Sequence, residues 1–209
     1  MSTGLSGVRA DRKVSYRSLE RLASGVRKAL DYPSDRAIDP LQLFENLDKI
    51  EITANDGRLI PMSGGVVSLE GSEGYTRYDR KRHLLEILAS ELTYHWLETK
   101  HPRAAYFVAH ELGHCVLHTD QLIRLAQMPT HLQAAFHRGR ADHEAYEDTE
   151  WQANAFASAL LMPARGIEAL EQDHHSITVS LVAMQFCVSL EAAGYRLDLY
   201  QKRTSQLLV

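Results

Sequence analysis

Apolar residues at Leu19, Leu22, Val26 and Leu30 recur at helical spacing and predict an amphipathic helix from Ser15 to about Leu30. Arg17, Arg21, Arg27 and Lys28 fall outside that stripe and read as its solvated face. The stretch Asp31-Tyr-Pro-Ser-Asp35 breaks the pattern, and a second helix is expected from about Pro40 to Leu47. The rhythm then changes. Glu51–Ala54, Gly65–Ser68, Tyr75–Tyr78 and Leu84–Ala89 are short strand candidates. Gly57, Gly64, Gly65, Gly71 and Gly74 punctuate this part like hairpin turns. Helical spacing returns after Pro102 and runs from Arg103 to His118, where Tyr106, Phe107, Val108, Leu112, Val116 and Leu117 predict a core helix. Another helix is expected over Glu150–Met162, capped by Asp148 or Thr149 and ended by Pro163. The fold class read from these elements is α+β: mainly helical, with a small bent sheet packed on the 103–118 helix.

Composition narrows the picture. The chain has 209 residues, enough for one domain or one domain with a small appendage, and 44% hydrophobic residues support a sizeable core. No apolar run of about 18 residues is present, so no membrane span is expected. Met1–Gly7 lacks a basic segment followed by an apolar one, so no signal peptide is expected and a cytoplasmic location is. Cys115 and Cys187, both in apolar helical surroundings, do not suggest a disulfide framework. A net charge of −4 gives no general attraction to nucleic acid.

The candidate chemistry lies at His110-Glu111-Leu112-Gly113-His114, an HExxH motif. On a helix, His110 and His114 stand at i and i+4, about one turn apart on one face. Two imidazoles so placed can reach one metal at about 2.0–2.1 Å each. Glu111 points at a neighbouring angle, where it can hold a water without ligating the metal. Paired histidines at this spacing also occur on ordinary surfaces. Against that reading, a buried Glu flanked by buried His residues is costly to keep without a partner. Gly113 costs about 1 kcal/mol relative to Ala inside a helix, which suggests close approach of another backbone.

A catalytic zinc takes three protein ligands and leaves a position open. His118 continues the i, i+4 row but sits a further turn away, about 6 Å, and is expected to pack or cap the helix end. Cys115 points off the ligand face. Glu150 is the better third ligand, since Glu150, Asn154 and Ala157 share a face whose small residues allow close packing. His131, His137, His143, Glu144, Glu147 and Asp148 remain rivals from the intervening segment. Asn154 is a candidate to hold a neighbour of the metal by a hydrogen bond. Tyr146, His143 and His137 are candidate oxyanion donors by location only.

Taken together, Ala109-His-Glu-Leu-Gly-His114, Leu117-His118, Glu150-x-x-Ala-Asn-x-Phe-Ala157 and Leu160-Leu-Met-Pro163 resemble the ImmA/IrrE family of metallopeptidases. Ile38-Asp39-Pro40-Leu41, Phe186–Ser189 and Tyr195–Leu197 are similar to further family segments. The resemblance implies a zincin-like metallopeptidase domain in which His110, His114 and Glu150 bind zinc and Glu111 is the catalytic base. The family members are bacterial or phage proteins of the cytoplasm, and several cut an Xre-type helix-turn-helix repressor. The resemblance therefore implies such a repressor as the protein substrate. The chain departs from the family's frequent Arg-Phe pair before the motif, carrying Ala104-Ala-Tyr-Phe-Val with Arg103 displaced. A His/His/Glu site also accepts Mn2+ or Fe2+.

The expected organisation is a disordered tail at 1–14, the metallopeptidase domain at 15–170, and a helical, helix-turn-helix-like segment at 171–209 packed on it. In that last segment Cys187-Val-Ser189 reads as the turn. A DNA reader would use Leu190–Leu197 in the major groove, but that helix offers only Arg196 and carries Glu191. Neither nucleic acid nor membrane is an expected partner. A zinc module that sequesters a partner without cutting it is the other alternative.

Overall fold

The computed structural model describes residues 8–129, 144–174 and 176–208. Helix α1 (Tyr16–Ala29) begins at Ser15, whose side chain accepts the backbone N–H of Ser18. Helix α2 (Pro40–Glu45) is capped by Asp39 and followed by a 3-10 turn at Leu47–Lys49. Four strands follow: β1 (Glu51–Thr53), β2 (Leu59–Val67), β3 (Gly74–Asp79) and β4 (Leu84–Ser90). They form one mixed sheet in the order β1-β2-β4-β3. β2 runs parallel to β4, with Met62 opposite Leu85, and β3 runs antiparallel to it, with Thr76 opposite Ile87. The α+β class expected from the sequence is the observed one.

The position of β4 follows from its composition. Leu84-Leu-Glu-Ile-Leu-Ala-Ser90 is nearly all apolar, as suits a strand covered on both faces. Its one charge, Glu86, is buried but ion-paired to Arg77 and Arg82 at 2.7 and 2.6 Å. β2 is longer than expected because two of the apparent turn glycines lie inside it. A Cβ at Gly64 would meet the Phe44 ring at 3.0 Å, and one at Gly65 would meet Leu88 at 2.9 Å. These glycines serve close packing rather than a turn.

Helix α3 (Glu91–Glu98), which has no counterpart among the expected elements, starts from a Ser90 cap. It leads into α4 (Pro102–Gln127), the long helix that carries the HExxH motif and packs on β3 and β4. Its backbone leaves helical geometry at His118 (φ −123°, ψ 20°), where the sequence pattern ends, and a further helical stretch reaches Gln127. Helix α5 (Thr149–Leu161) starts from Asp148, whose side chain accepts the N–H groups of Glu150 and Trp151. Helices α6 (Ala164–Asp173), α7 (Val179–Phe186) and α8 (Leu190–Leu207) complete the described chain. Phe107, Val108, Leu112, Phe156 and Leu160 are buried between α4, α5 and the sheet.

Three expectations change. The stretch 8–14, the described part of the tail expected to be disordered at 1–14, is laid against the molecule: Ala10 N–H donates to Glu147 O, and Gln121 Nε2 donates to Arg9 O. Cys187 is exposed and left-handed (φ 53°) at the end of α7, not held in apolar surroundings. Arg196, the only cation of the supposed reading helix, is buried against α1: it donates to Glu20 Oε1 at 2.5 Å and to Met162 O at 2.8 Å. It cannot reach a base edge without breaking both bonds. Among the described residues no helix is long and apolar enough to cross a membrane.

Candidate metal centre

The centre is built where α4 crosses α5, and small residues permit the crossing. A Cβ at Gly113 would meet Ala153 Cα at 3.0 Å and Ala153 O at 3.1 Å, so the expected close backbone approach is present. The crossing brings the first turn of α5 onto the histidine face of α4. His110 Nε2 lies 3.1 Å from His114 Nε2. The two Glu150 carboxylate oxygens lie 3.2 Å from those same nitrogens, one each. Among the described residues, these three form the group whose ligand atoms could share a metal ion.

The spacing fits a metal. Tetrahedral ligands at about 2.0–2.1 Å from one zinc stand roughly 3.3 Å apart, close to the three donor separations here. The donor set, two imidazoles and one carboxylate, suits a divalent metal with a position left open. The side chains of His110 and His114 are mostly buried, whereas Glu150 is 42% exposed, which opens the centre on one side.

Electrostatics bind the group together. Hydrogen bonds from His110 and His114 hold the Glu150 carboxyl well below the usual carboxylate range. Burial of His110 opposes its charged form, but the Glu150 hydrogen bond and the charges of Glu111 and Glu150 outweigh that, leaving its pKa above the ordinary value. His110 Nδ1 lies 2.9 Å from Asn154 Oδ1, an acceptor that suits a proton on Nδ1, so that Nε2 can serve a metal in place of its bond to Glu150. The same Asn154 oxygen accepts the Tyr106 hydroxyl at 2.9 Å. Burial pushes the Tyr106 pKa up to about 12, which keeps it a donor. Asn154 thus takes the supporting place expected of it.

Glu111 sits beside the group without joining it. Its Oε2 accepts the Thr76 hydroxyl at 2.6 Å, which ties the motif carboxylate to β3. Rings at every fourth position extend the row along α4: Tyr106 on His110, His110 on His114, and His114 on His118, with centroids 6.4, 4.8 and 5.5 Å apart. His118 is no ligand. It is buried, and its Nε2 lies 3.3 Å from the Thr149 carbonyl. Burial, then the neighbouring His114 charge, lowers its pKa to about 4. Cys115 is fully buried, and burial pushes its thiol up, away from the thiolate a metal requires.

Of the rival ligands, Glu147 is ion-paired with Arg9 and Lys13, and Asp148 caps α5. His131, His137 and His143 lie outside the described residues. Tyr146 is exposed, with the Lys13 ammonium over its ring. Sequence reasoning did not single out Tyr106 as a site residue, although its place four residues before His110 on the same face was a signal. Thr76 gave none, being one threonine in a strand 35 residues from its partner.

Comparison with known proteins bears on the same segment. Residues 97–198 match the family model described as the IrrE N-terminal-like domain, Peptidase_M78. No curated protein matches the chain. A solved structure described as a Mycobacterium tuberculosis transcriptional regulator is similar at 20% identity and a TM-score of 0.49. That similarity covers 91% of this chain and 49% of the other, so the chain spans about half that structure's length. The matched segment holds all three donor residues, Glu111 and Asn154, so the candidate centre lies within the part of the chain that is similar to the IrrE N-terminal-like domain.

Proposed function

We propose that the protein is a zinc-dependent, site-specific endopeptidase that cuts an Xre-type helix-turn-helix repressor and so relieves repression. The observation that carries the reading is the donor triangle of His110, His114 and Glu150 beside a carboxylate, Glu111, that is held by β3 and not used as a donor. A structural zinc site is usually closed by four protein ligands and needs no such neighbour. His110, His114 and Glu150 hold the ion, with Mn2+ or Fe2+ as geometric substitutes. When bound, zinc supplies Lewis-acid chemistry: it makes a water acidic near neutral pH and polarises a carbonyl.

The chain's own residues do the rest. Glu111 takes the proton of the attacking water and passes it to the leaving amine. Thr76 orients Glu111 through the 2.6 Å hydrogen bond. Asn154 fixes the His110 ring, and Tyr106 fixes Asn154. Among the described residues β3 is an edge strand in the order β1-β2-β4-β3, so an extended substrate can add to its outer side by backbone pairing. Thr76 lies on that strand, which sets the substrate backbone next to Glu111. The burial of Arg196 weighs against the DNA-reading alternative.

The test is a cleavage assay. Zinc-loaded protein is mixed with the Xre-type repressor encoded nearest to it, and products are read by intact mass. Wild type should give two discrete fragments, and Glu111→Gln should keep its zinc while cleavage slows by roughly 10²–10⁴-fold. Uncut repressor in a stable complex with both proteins would favour sequestration. Uncut and unbound repressor would remove this substrate.

A further inference from the structure

Beyond His118, the second half of α4 flanks β3, and the two enclose a groove of about 690 Å³. Leu122, Leu125 and Ala126 give it an apolar wall, and Arg77, Arg80 and Lys81 give it a cationic rim. Arg80 Nη1 reaches the Ala126 carbonyl at 3.4 Å, so the rim is tied to the wall. The charge is local. Residues 77–82 read Arg-Tyr-Asp-Arg-Lys-Arg, four cations in six positions, in a chain whose net charge is −4.

Two carboxylates lie nearby, and one of them, Asp79, also lines the groove and offsets part of this charge. Asp79 accepts the backbone N–H groups of Lys81 and Arg82 at 2.8 and 3.1 Å. Glu86 is taken by Arg77 and Arg82 on the β4 side. Among the described residues no carboxylate is ion-paired with Arg80 or Lys81, and both line the groove beside β3, which stands at the edge of the sheet. The groove adjoins the centre described above through one residue. Thr76, one of its lining residues, bonds Glu111. From Thr76 the strand runs on three residues to Asp79, about 10 Å at roughly 3.3 Å per residue, and Arg80 opens the turn that follows.

We propose that this groove selects an extended peptide strand carrying an acidic side chain about four residues from the bond to be cut, with an apolar side chain seated against Leu122 and Leu125. The proposal rests on the peptidase reading, since it takes β3 as the substrate strand's neighbour. The ligand class is an acidic, extended polypeptide. A single-stranded nucleic acid would meet the same cations but has no use for a strand edge.

The test separates binding from cutting. Zinc-loaded Glu111→Gln is titrated with fluorescein-labelled extended peptides that share an apolar core and differ only in Glu or Lys four residues from its centre, and with an oligothymidylate. At low salt the Glu peptides should bind at least tenfold more tightly than the Lys peptides, and the gap should shrink at 0.5 M salt. The double variant Arg80→Glu/Lys81→Glu, made in the same background, should reverse the preference, with its thermal unfolding unchanged as a check on the fold. Leu125→Arg should weaken both peptides. Equal binding of the two peptides, no binding of either, a preference that survives charge reversal, or tighter binding of the oligothymidylate would overturn the proposal. Charge-selective binding together with uncut peptides in the wild type would leave the groove standing and count against the peptidase reading alone. Cutting without charge selection would do the reverse.

Discussion

Helix α5 is held by charged side chains at both ends, in opposite ways. At its N-terminal end Glu150 is 42% exposed and faces two imidazoles, and its neighbours touch it by hydrogen bonds that a metal can replace. Beyond its C-terminal end the charges are buried. Arg27 donates to Leu160 O and Arg196 to Met162 O, satisfying carbonyls that a helix end leaves without partners. Glu20 completes that end: it pairs with Arg196 and accepts the N–H of Ala164, the first residue of α6. Charge committed to structure is desolvated and bonded to backbone carbonyls or to a counter-charge. Charge available for chemistry stays at a rim, with its protonation governed by adjustable neighbours. The same helix fixes the distance between the two.

The comparison predicts that damage at the buried end shows as lost stability and damage at the open end as lost metal affinity. The largest effect is expected for Arg196→Met, which leaves the Glu20 carboxylate buried without its partner. Removing one member of such a pair costs about 3–5 kcal/mol, read as a shift in the urea midpoint, while zinc affinity of the folded fraction stays unchanged. Glu20→Leu/Arg196→Met together should recover most of that loss. Retained stability in the single variant would break the contrast.

Next comes the pH dependence at the metal end. His118, bonded to the first turn of α5, has a folded pKa of about 4 against an ordinary 6.5. A lowered pKa means the neutral form is the one folding favours. Its contribution is therefore complete above about pH 6.5 and is lost as pH falls through 4, by about 3 kcal/mol over the full shift. Measured on chelator-treated protein by urea unfolding between pH 7 and pH 4, His118→Gln should lose that part of the slope. Parallel profiles for the variant and wild type would contradict the assignment.

The smallest effect sharpens the comparison most. Asn154→Ala removes the acceptor that orients His110, and should lower zinc affinity by about 10–100-fold with a minor change in the urea midpoint. Asn154→Asp keeps an oxygen at that place and should restore most of the affinity. Competition with a chelating dye reads both.

How much of this was legible in the sequence follows from the range of each interaction. His110, Glu111 and His114 stand on one helix, so their spacing alone fixed their relation, and Gly113 announced the close crossing. Glu150 was legible because its helix carries Asn154 and Ala157 on the same face. The Thr76–Glu111 contact joins a strand to a helix and leaves no periodic trace. Gly64 and Gly65 misled because a glycine demanded by a neighbour's ring looks the same as one demanded by a turn. Arg196 looked like a surface cation for the same reason: its partner, Glu20, lies 176 residues away in the chain. Helix α3 is short, and its Ser90 cap follows directly on a strand, so no break marked its start.

The most direct test of the central claim is the zinc content of purified, dialysed protein, measured by inductively coupled plasma mass spectrometry for wild type, Glu111→Gln and Glu150→Ala. The account predicts one zinc per chain in the first two and almost none in the third. Zinc retained by Glu150→Ala, or absent from the wild type after loading, would contradict it.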